Sequence, residues 1–194
     1  MRIYGDLVSG NCLKVKWTCD HLRLAYEWVD IDIMQSESRT PVFLAKNPFG
    51  QVPVVAFDDG RHLAQSNAIV LYLADGSDLV PADPFLRAKV LEWMFWEQYS
   101  HEPYVAVCRF QMKYQGKRAD ERDPDKVARG VNALETLENA LADQPFLVGS
   151  ELSAADIALV AYTRVAEEGG FDLSGFPHVR SWIGNCDTVL KLSE

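Results

Sequence analysis

The sequence lacks the features that define several large classes of protein. No apolar run reaches the roughly 20 residues of a membrane-spanning helix, and the start, MRIYGDLV, lacks the basic and apolar pattern of a signal peptide. We therefore expect a cytoplasmic protein with no membrane partner. Basic residues are few, since 19 lysines and arginines face 28 acids and give a net charge of −9. This balance disfavours a nucleic-acid partner, which would require a basic face.

Cysteine and histidine are scarce too, with four residues of each type, and neither type is spaced as metal ligands are. No CxxC pair occurs, and the separations suit neither a zinc site nor a disulfide framework. We therefore expect no metal cofactor and cysteines that pack in the core. The four are Cys12, Cys19, Cys108 and Cys186.

The first 75 residues carry alternating strand and helix patterns. The stretch YEWVDIDI alternates large apolar residues with acids, as a half-buried strand does, and Asp59-Gly60 is a hairpin turn signal. Pro41 suits a first helical turn, and Ser66 suits a helix N-cap. The predicted elements are residues 2–7, 11–25, 26–33, 41–47, 52–57, 62–65 and a helix from residue 66. This β-α-β-α-β-β-α order predicts one compact α/β unit.

After the breaker-rich stretch GSDLVPADP, only helical patterns remain. Apolar residues at helical spacing predict one helix from about residue 86 through residue 112 and another over residues 127–141. Ser153 and Asp156 stand three apart, as in a capping box, and predict the start of a further helix. We assign Asp156 to this structural role and not to catalysis. A last helix is expected after Pro177.

Four motifs occur in order along this architecture: SGNC at the first strand–helix turn, NPFGQVP before the third strand, QSNAI at the third helix, and SAADIAL in the helical half. With the element order, they resemble the cytosolic glutathione transferases over essentially the whole chain. The resemblance implies a thioredoxin-like, glutathione-binding domain (1–76), a linker (77–84) and an all-helical domain (85–194). It also implies a detoxifying transferase that activates the glutathione thiol for attack on small hydrophobic electrophiles, and a homodimer.

The resemblance further implies where glutathione, the co-substrate, is bound. The peptide bond before Pro53 would be cis, and the Val52 backbone would pair with the tripeptide like an added strand; otherwise Pro53 is only an edge-strand proline. Ser66 would hold the γ-glutamyl end at a helix N-terminus, besides capping that helix. The glycyl carboxylate would meet Gln51, with Arg39 as a looser source of positive charge. The matching residues are Arg39, Gln51, Val52, Pro53, Gln65 and Ser66.

The stretch LVSGNCLKV decides which side chain meets the glutathione sulfur. Ser9 is the first candidate, because DLVSGNCLKV is similar to the turn of serine-dependent, theta-like transferases. Asn11 is the second, because nu-like bacterial relatives place an asparagine there. Cys12 could form mixed disulfides as in omega-like or beta-like relatives, although a small buried residue fits the pattern better, and Tyr4 is assigned to packing. The alternative is that Ser9 or Asn11 merely caps the first helix.

The electrophile is expected against the first long helix of the second half, where Tyr104, Arg109 and Phe110 are candidate wall residues. Two other functions stay open at this point. One is glutathione-dependent reduction of disulfides or peroxides, which a dominant role of Asn11 would favour. The other is a non-catalytic interaction module that retains the fold.

Overall fold

A computed structural model describes residues 1–192, which fall into two compact units divided after Asp75. The first unit holds one four-stranded sheet in the order β2-β1-β3-β4. Strand β1 pairs with β2 in parallel and with β3 antiparallel, and β3 pairs antiparallel with β4. The strands are β1 (Arg2–Gly5), β2 (Glu27–Asp30), β3 (Val54–Ala56) and β4 (His62–Ala64). The predicted β-α-β-α-β-β-α order is confirmed, with every strand shorter than predicted.

The helices of this unit are α1 (Gly10–His21), a 3-10 turn (Glu37–Arg39), α2 (Pro41–Leu44) and α3 (Ser66–Ala74). The prediction that α1 extends to residue 25 was wrong, because Arg23 adopts the left-handed conformation with φ 55°. The Leu24 and Arg23 N–H groups donate to the carbonyls of Cys19 and Asp20, which closes the helix as a Schellman motif. Glycine usually marks this kind of helix ending in a sequence, and an arginine at the same position does not predict it.

Between residues 76 and 192 the structure assigns helices and no β-strand. They are α4 (Pro84–Trp96), a π-helical turn (Glu97–His101), α5 (Glu102–Lys113), α6 (Pro124–Ala140), α7 (Ala154–Thr163) and α8 (Pro177–Leu190), with 3-10 turns at Ala119–Glu121 and Ala166–Gly169. All ten residues of α7 are buried, so this helix is the centre of the helical core. None of the helices among residues 1–192 is both long and apolar enough to cross a bilayer.

The long helix predicted from residue 86 through residue 112 is continuous in the structure, but its middle part is not α-helical. The α-helical pattern gives way to the π-helical turn at Glu97–His101 and resumes in α5. Pro103 supplies the physical reason, because it has no N–H and its ring would collide with the Tyr99 carbonyl in a regular α-helix. A wider turn before the proline relieves that collision.

The predicted capping box at α7 is confirmed. The Asp156 carboxylate accepts hydrogen bonds from the Ser153 N–H at 2.9 Å and from the Ser153 hydroxyl at 2.7 Å. Its other oxygen accepts from the Leu147 N–H and from Trp182 Nε1, both at 2.8 Å. Asp156 is fully buried, and its four donors lie in structural elements of the helical unit, which agrees with a structural role.

Candidate functional site

Ser9 is the N-cap residue of α1, but its side chain makes no capping hydrogen bond. Its backbone is extended, with φ −76° and ψ 121°, and its carbonyl accepts from the N–H groups of Cys12 and Leu13 at 3.0 Å. The backbone of Ser9 therefore starts the helix while the half-buried hydroxyl is left out of capping. A role of Ser9 beyond the start of this helix stays a prediction.

Cys12 lies in the first turn of α1 and is fully buried. The Asp6 N–H donates to its sulfur at 3.4 Å. Burial raises the pKa of the Cys12 thiol to about 12, against smaller lowering effects of the hydrogen bonds from Asp6 and Ser9. The thiol is therefore protonated at neutral pH, which is unsuited to nucleophilic attack. The other three cysteines are buried as well.

Asn11 and Ser66 are brought together by the fold, although 55 positions separate them. The Ser66 hydroxyl donates to Asn11 Oδ1 at 2.9 Å, and only 6% of Ser66 is exposed. The prediction that Ser66 is the N-cap of α3 was wrong by one position, since Gln65 is the N-cap and Ser66 the first helical residue. The Ser66 side chain thus joins α3 to the start of α1.

The N-terminus of α3 has the geometry of an anion site. Gln65 has a positive φ of 69° with ψ 110°, which is uncommon for a residue other than glycine, and its side chain makes no capping hydrogen bond. The first turn of a nine-residue helix therefore presents N–H groups without a side-chain cap from Gln65. Backbone outliers of this kind cluster at ligand sites.

The Val52-Pro53 peptide bond is cis, as the resemblance implied. Pro53 is buried and Val52 half-buried, directly before β3. The preceding loop is fixed by Asn47, whose Nδ2 donates to the Gln51 carbonyl at 2.7 Å. The Gln51 side chain is left exposed. Asn47 is a positioning residue that the sequence analysis missed, although it opens the quoted NPFGQVP motif.

Arg39 lies against the same loop. Its Nη1 donates to the Phe49 carbonyl at 3.1 Å, and the chain leaves room for the guanidinium at Gly50, where an added Cβ would lie 2.6 Å from Nη1. Gly50 also has φ 62°, which disfavours any other residue. The fold therefore places Arg39 against the Phe49 and Gly50 segment that directly precedes Gln51, which sequence spacing alone could not show. Tyr4 instead packs in β1, with Lys46 Nζ 5.4 Å from its ring centre.

The three predicted electrophile residues are not brought together. Tyr104 accepts a hydrogen bond from Arg129 at 3.2 Å and lies under the charges of Lys126 and Arg129. Arg109 is buried and pairs with Glu168 at 2.8 Å. Phe110 stacks on Tyr114 and lines a cavity of about 270 Å³. The other lining residues are Gln98, Glu102, Pro103, Ala106, Val107 and Tyr162.

Among residues 1–192, no group of three or more histidine, cysteine, aspartate or glutamate side chains is placed to hold a metal ion. A mixed four-stranded sheet with a cis-proline before β3, followed by an all-helical unit, defines a thioredoxin-like domain joined to a glutathione-transferase helical domain.

Comparison with known proteins agrees with this class. Residues 8–75 match the model of the glutathione S-transferase N-terminal domain, and residues 93–187 match that of the C-terminal domain. A crystal structure of a glutathione S-transferase from Pseudomonas fluorescens is 48% identical with a TM-score of 0.93, covering 96% of this chain and 94% of that one. Glutathione S-transferase 3 of Zea mays is 30% identical over 94% of this chain and 86% of its own.

A third relative, glutathione S-transferase D7 of Drosophila melanogaster, is 31% identical over 82% of this chain and 71% of its own. The chain belongs to the cytosolic glutathione transferase superfamily. It is therefore an enzyme of the glutathione transferase class, and glutathione is the co-substrate of its family. The theta-like and nu-like features of the LVSGNC stretch stay a prediction.

Proposed function

We propose that the chain binds glutathione in its N-terminal unit and ionises the glutathione thiol, which then attacks a small hydrophobic electrophile. The observation that carries this proposal is the Ser9 hydroxyl, which lies at the start of α1 and takes no part in capping it. A hydroxyl donor beside a helix N-terminus favours a thiolate over a thiol. Asn11 is the second residue of α1, and its side-chain amide supplies a second hydrogen-bond donor.

The required stabilisation is within the reach of these groups. A free cysteine-type thiol has a pKa of about 8.5, so only a few per cent is ionised at pH 7. Lowering that pKa by about two requires roughly 2.7 kcal/mol of preferential interaction with the thiolate. Hydrogen bonds to a charged group contribute about 1.5–3 kcal/mol each, and the helix N-terminus adds to them.

The other groups of glutathione also bind to residues of the N-terminal unit. The γ-glutamyl carboxylate meets the N-terminus of α3 at Gln65 and Ser66, where N–H groups and a hydroxyl converge. The cysteinyl backbone pairs with Val52, which lies just before β3. The glycyl carboxylate meets Gln51 and the guanidinium of Arg39, which the hydrogen bond to Phe49 holds against this loop.

The reaction is a nucleophilic displacement or addition at carbon. The thiol first gives up its proton to solvent water. The thiolate sulfur then donates its electron pair to the electrophilic carbon and forms a C–S bond. In a displacement the leaving group, for example chloride, departs with the electrons of its own bond. Ser9 keeps its proton throughout and acts by hydrogen bonding to the sulfur while the sulfur is charged.

Four alanine variants test this assignment: Ser9→Ala, Asn11→Ala, Cys12→Ala and, as a control, the exposed Ser181→Ala. We expect Ser9→Ala to lower kcat/KM with 1-chloro-2,4-dinitrobenzene by about 10²-fold, the size of effect that removal of one donor at a developing charge produces. Ser181→Ala should leave it unchanged. Equal activity of Ser9→Ala and the control would refute the assignment of Ser9.

A second candidate function is the glutathione-dependent reduction of a disulfide or peroxide. The observation that favours it is the ordered amide of Asn11, which is held by Ser66 near the start of α1. Assaying the same variants with a disulfide such as 2-hydroxyethyl disulfide separates the two functions. Loss of disulfide reduction in Asn11→Ala, with transferase activity retained, would favour reduction. Glutathione binding without turnover of substrates of either class would contradict both candidate functions.

The electrophile site and the homodimer are part of this proposal. The cavity beside Phe110 is about 270 Å³, which suits a substrate of about one ring.

Several large aromatic side chains are exposed, including Phe85 and Phe95 at 72% and Tyr99 at 82%, and such surfaces commonly lie in interfaces. Sedimentation equilibrium should give the mass of two chains, and a monomeric mass at micromolar concentration would contradict the dimer.

A further inference from the structure

The cavity beside Phe110 has one acidic side chain in a wall that is otherwise uncharged. All of its seven lining residues lie in the described part of the chain, and Glu102 is the charged one among them. The two basic side chains of α5, Arg109 and Lys113, are not in the lining, and both pair with Glu168. A molecule in this cavity therefore meets a carboxylate in the wall and no lining side chain of opposite charge.

Glu102 is held in the wall by the side chain of Gln98. Gln98 Nε2 donates to Glu102 Oε2 at 2.5 Å and to Oε2 of the fully buried Glu97 at 2.8 Å. Gln98 belongs to the π-helical turn that precedes Pro103, and Gln98, Glu102 and Pro103 all line the cavity. π-helical turns are frequent at functional sites. The polar part of the wall is thus built around the turn that the proline imposes.

The position of Glu102 favours a cationic neighbour. A carboxylate accepts several hydrogen bonds at once, so a ligand can bind it without displacing Gln98. Glu102 is half-buried, and a charge that is partly removed from water interacts more strongly with another charge. The net charge of −9 adds to the repulsion of an anion.

The remainder of the lining suits an aromatic ring. Pro103, Ala106, Val107 and Phe110 contribute apolar surface, and the Phe110 ring itself stacks on Tyr114 with the ring centres 5.1 Å apart. An apolar wall with a single carboxylate is complementary to a flat apolar molecule that carries one positive group.

We propose that the electrophile site selects its substrates by charge, and that Glu102 makes it favour aromatic electrophiles with a cationic substituent, such as an amidinium, over anionic ones. This inference rests on the proposed function and names the substrate class of that site. An amidinium is planar and can offer a carboxylate two parallel N–H donors, as the arginine side chain does. It keeps its protons during the reaction, while the glutathione sulfur displaces chloride elsewhere on the ring.

The test uses three electrophiles of one shape: 4-chloro-3-nitrobenzamidine, a cation, 4-chloro-3-nitrobenzamide, which is neutral, and 4-chloro-3-nitrobenzoate, an anion. Each kcat/KM is divided by the rate constant of the uncatalysed reaction with glutathione, which removes the difference in ring activation. We expect the normalised value for the amidine to exceed that for the benzoate about tenfold, with the amide between them. Equal values, or a preference for the benzoate, overturn the inference.

Variants show whether Glu102 carries the preference. Glu102→Gln removes the charge at nearly constant shape and should lower the cation-to-anion ratio about fivefold, whereas Glu102→Asp retains the charge and should retain most of the ratio. Glu135→Gln, at an exposed position of α6, is the matched control and should leave the ratio unchanged. The ratio is measured within each variant, so a partial loss of folded protein does not alter it. An unchanged ratio in Glu102→Gln, or an equal fall in the control, overturns the inference.

Failure of the proposed function gives a different result from failure of this inference. If none of the three electrophiles reacts faster than it does without the protein, the proposed function fails, and binding still tests the charge selection. The probes are 3-nitrobenzamidine and 3-nitrobenzoate, which lack the leaving chloride. Calorimetry should give the amidine a Kd about tenfold lower than that of the benzoate in the wild type, and similar values in Glu102→Gln. Equal Kd values in the wild type, or no binding of the amidine at millimolar concentration, overturn the inference.

Discussion

Trp182 Nε1 donates a 2.8 Å hydrogen bond to Asp156 Oδ1 and thereby joins α8 to the first turn of α7. The same oxygen accepts from the Leu147 N–H, and the second carboxylate oxygen accepts from both Ser153 groups. One buried carboxylate therefore satisfies four donors from three parts of the helical unit. An isolated buried charge would be costly, and these donors offset that cost.

Asp156→Asn is expected to destabilise the protein strongly. An asparagine retains one acceptor oxygen and turns an amide nitrogen toward groups that are themselves donors, so at least one buried donor loses its partner. We expect a loss of about 2–4 kcal/mol in the free energy of unfolding, measured by urea denaturation. The exposed Asp143→Asn is the matched control and should change stability by less than about 0.5 kcal/mol. A loss in Asp156→Asn no larger than in this control would contradict the assigned role.

The same carboxylate predicts a dependence of stability on pH. Burial raises the pKa of Asp156 above its usual value, against the lowering effect of its hydrogen bonds. The folded state therefore binds the proton at a higher pH than the unfolded chain does. Its contribution to stability is present below the unfolded value of about 3.9 and is lost as pH rises through the raised folded value. The stability advantage of the wild type over Asp156→Asn should thus shrink as pH rises from acid toward neutral.

Substitutions at Arg39 and at Gly50 should weaken glutathione binding to a similar extent. Arg39→Gln removes the positive charge proposed to meet the glycyl carboxylate, and Gly50→Ala displaces the guanidinium because the added Cβ would lie 2.6 Å from Nη1. We expect each variant to raise the KM for glutathione about 5- to 20-fold with little change in the KM for the electrophile. Arg23→Gln, at an exposed position just beyond the end of α1, is the control. If Arg39→Gln raised the KM for glutathione and Gly50→Ala did not, the prediction that the two residues act together would be contradicted.

Cys12 should be dispensable for catalysis. With its pKa raised to about 12 by burial, only on the order of one thiol in 10⁵ is ionised at pH 7. Cys12→Ala should keep kcat/KM within about twofold and cost about 1 kcal/mol of stability through the lost buried volume. Mass spectrometry after incubation with oxidised glutathione should show no adduct on native Cys12. A stoichiometric mixed disulfide at this residue would contradict the prediction.

Phe110 and Tyr104 should differ in their effects on the electrophile. Phe110 lines the cavity of about 270 Å³, whereas Tyr104 is engaged by Arg129 and Lys126. We expect Phe110→Ala to raise the KM for the electrophile about 3- to 10-fold, because it removes apolar contact area, and to leave the KM for glutathione unchanged. Tyr104→Phe should change neither value by more than about twofold. A larger effect of Tyr104→Phe on the electrophile would move the substrate site away from Phe110.

Much of the fold follows from interactions between residues that are near each other in the chain. The Asp59-Gly60 turn and the Ser153 and Asp156 capping box each involve a few consecutive positions, and both are present as predicted. The strand predicted from alternation over residues 26–33 forms only at Glu27–Asp30, where two adjacent residues are half-buried. The boundaries were less predictable. The end of α1 at His21 depends on an arginine in a left-handed conformation, and the π-helical turn before Pro103 depends on how a long helix absorbs a missing N–H.

Short-range patterns and ordered motifs in the sequence were enough to predict the order of elements and the family. That the stretch LVSGNCLKV activates a thiol stays a prediction. Tertiary packing brings Ser66 to Asn11 and Arg39 to Gly50. It also gives Tyr104, Arg109 and Phe110 three different environments. These outcomes depend on how distant segments pack. A side chain's partner across 55 positions is fixed by the position of two helix ends in space, and no local periodicity encodes it.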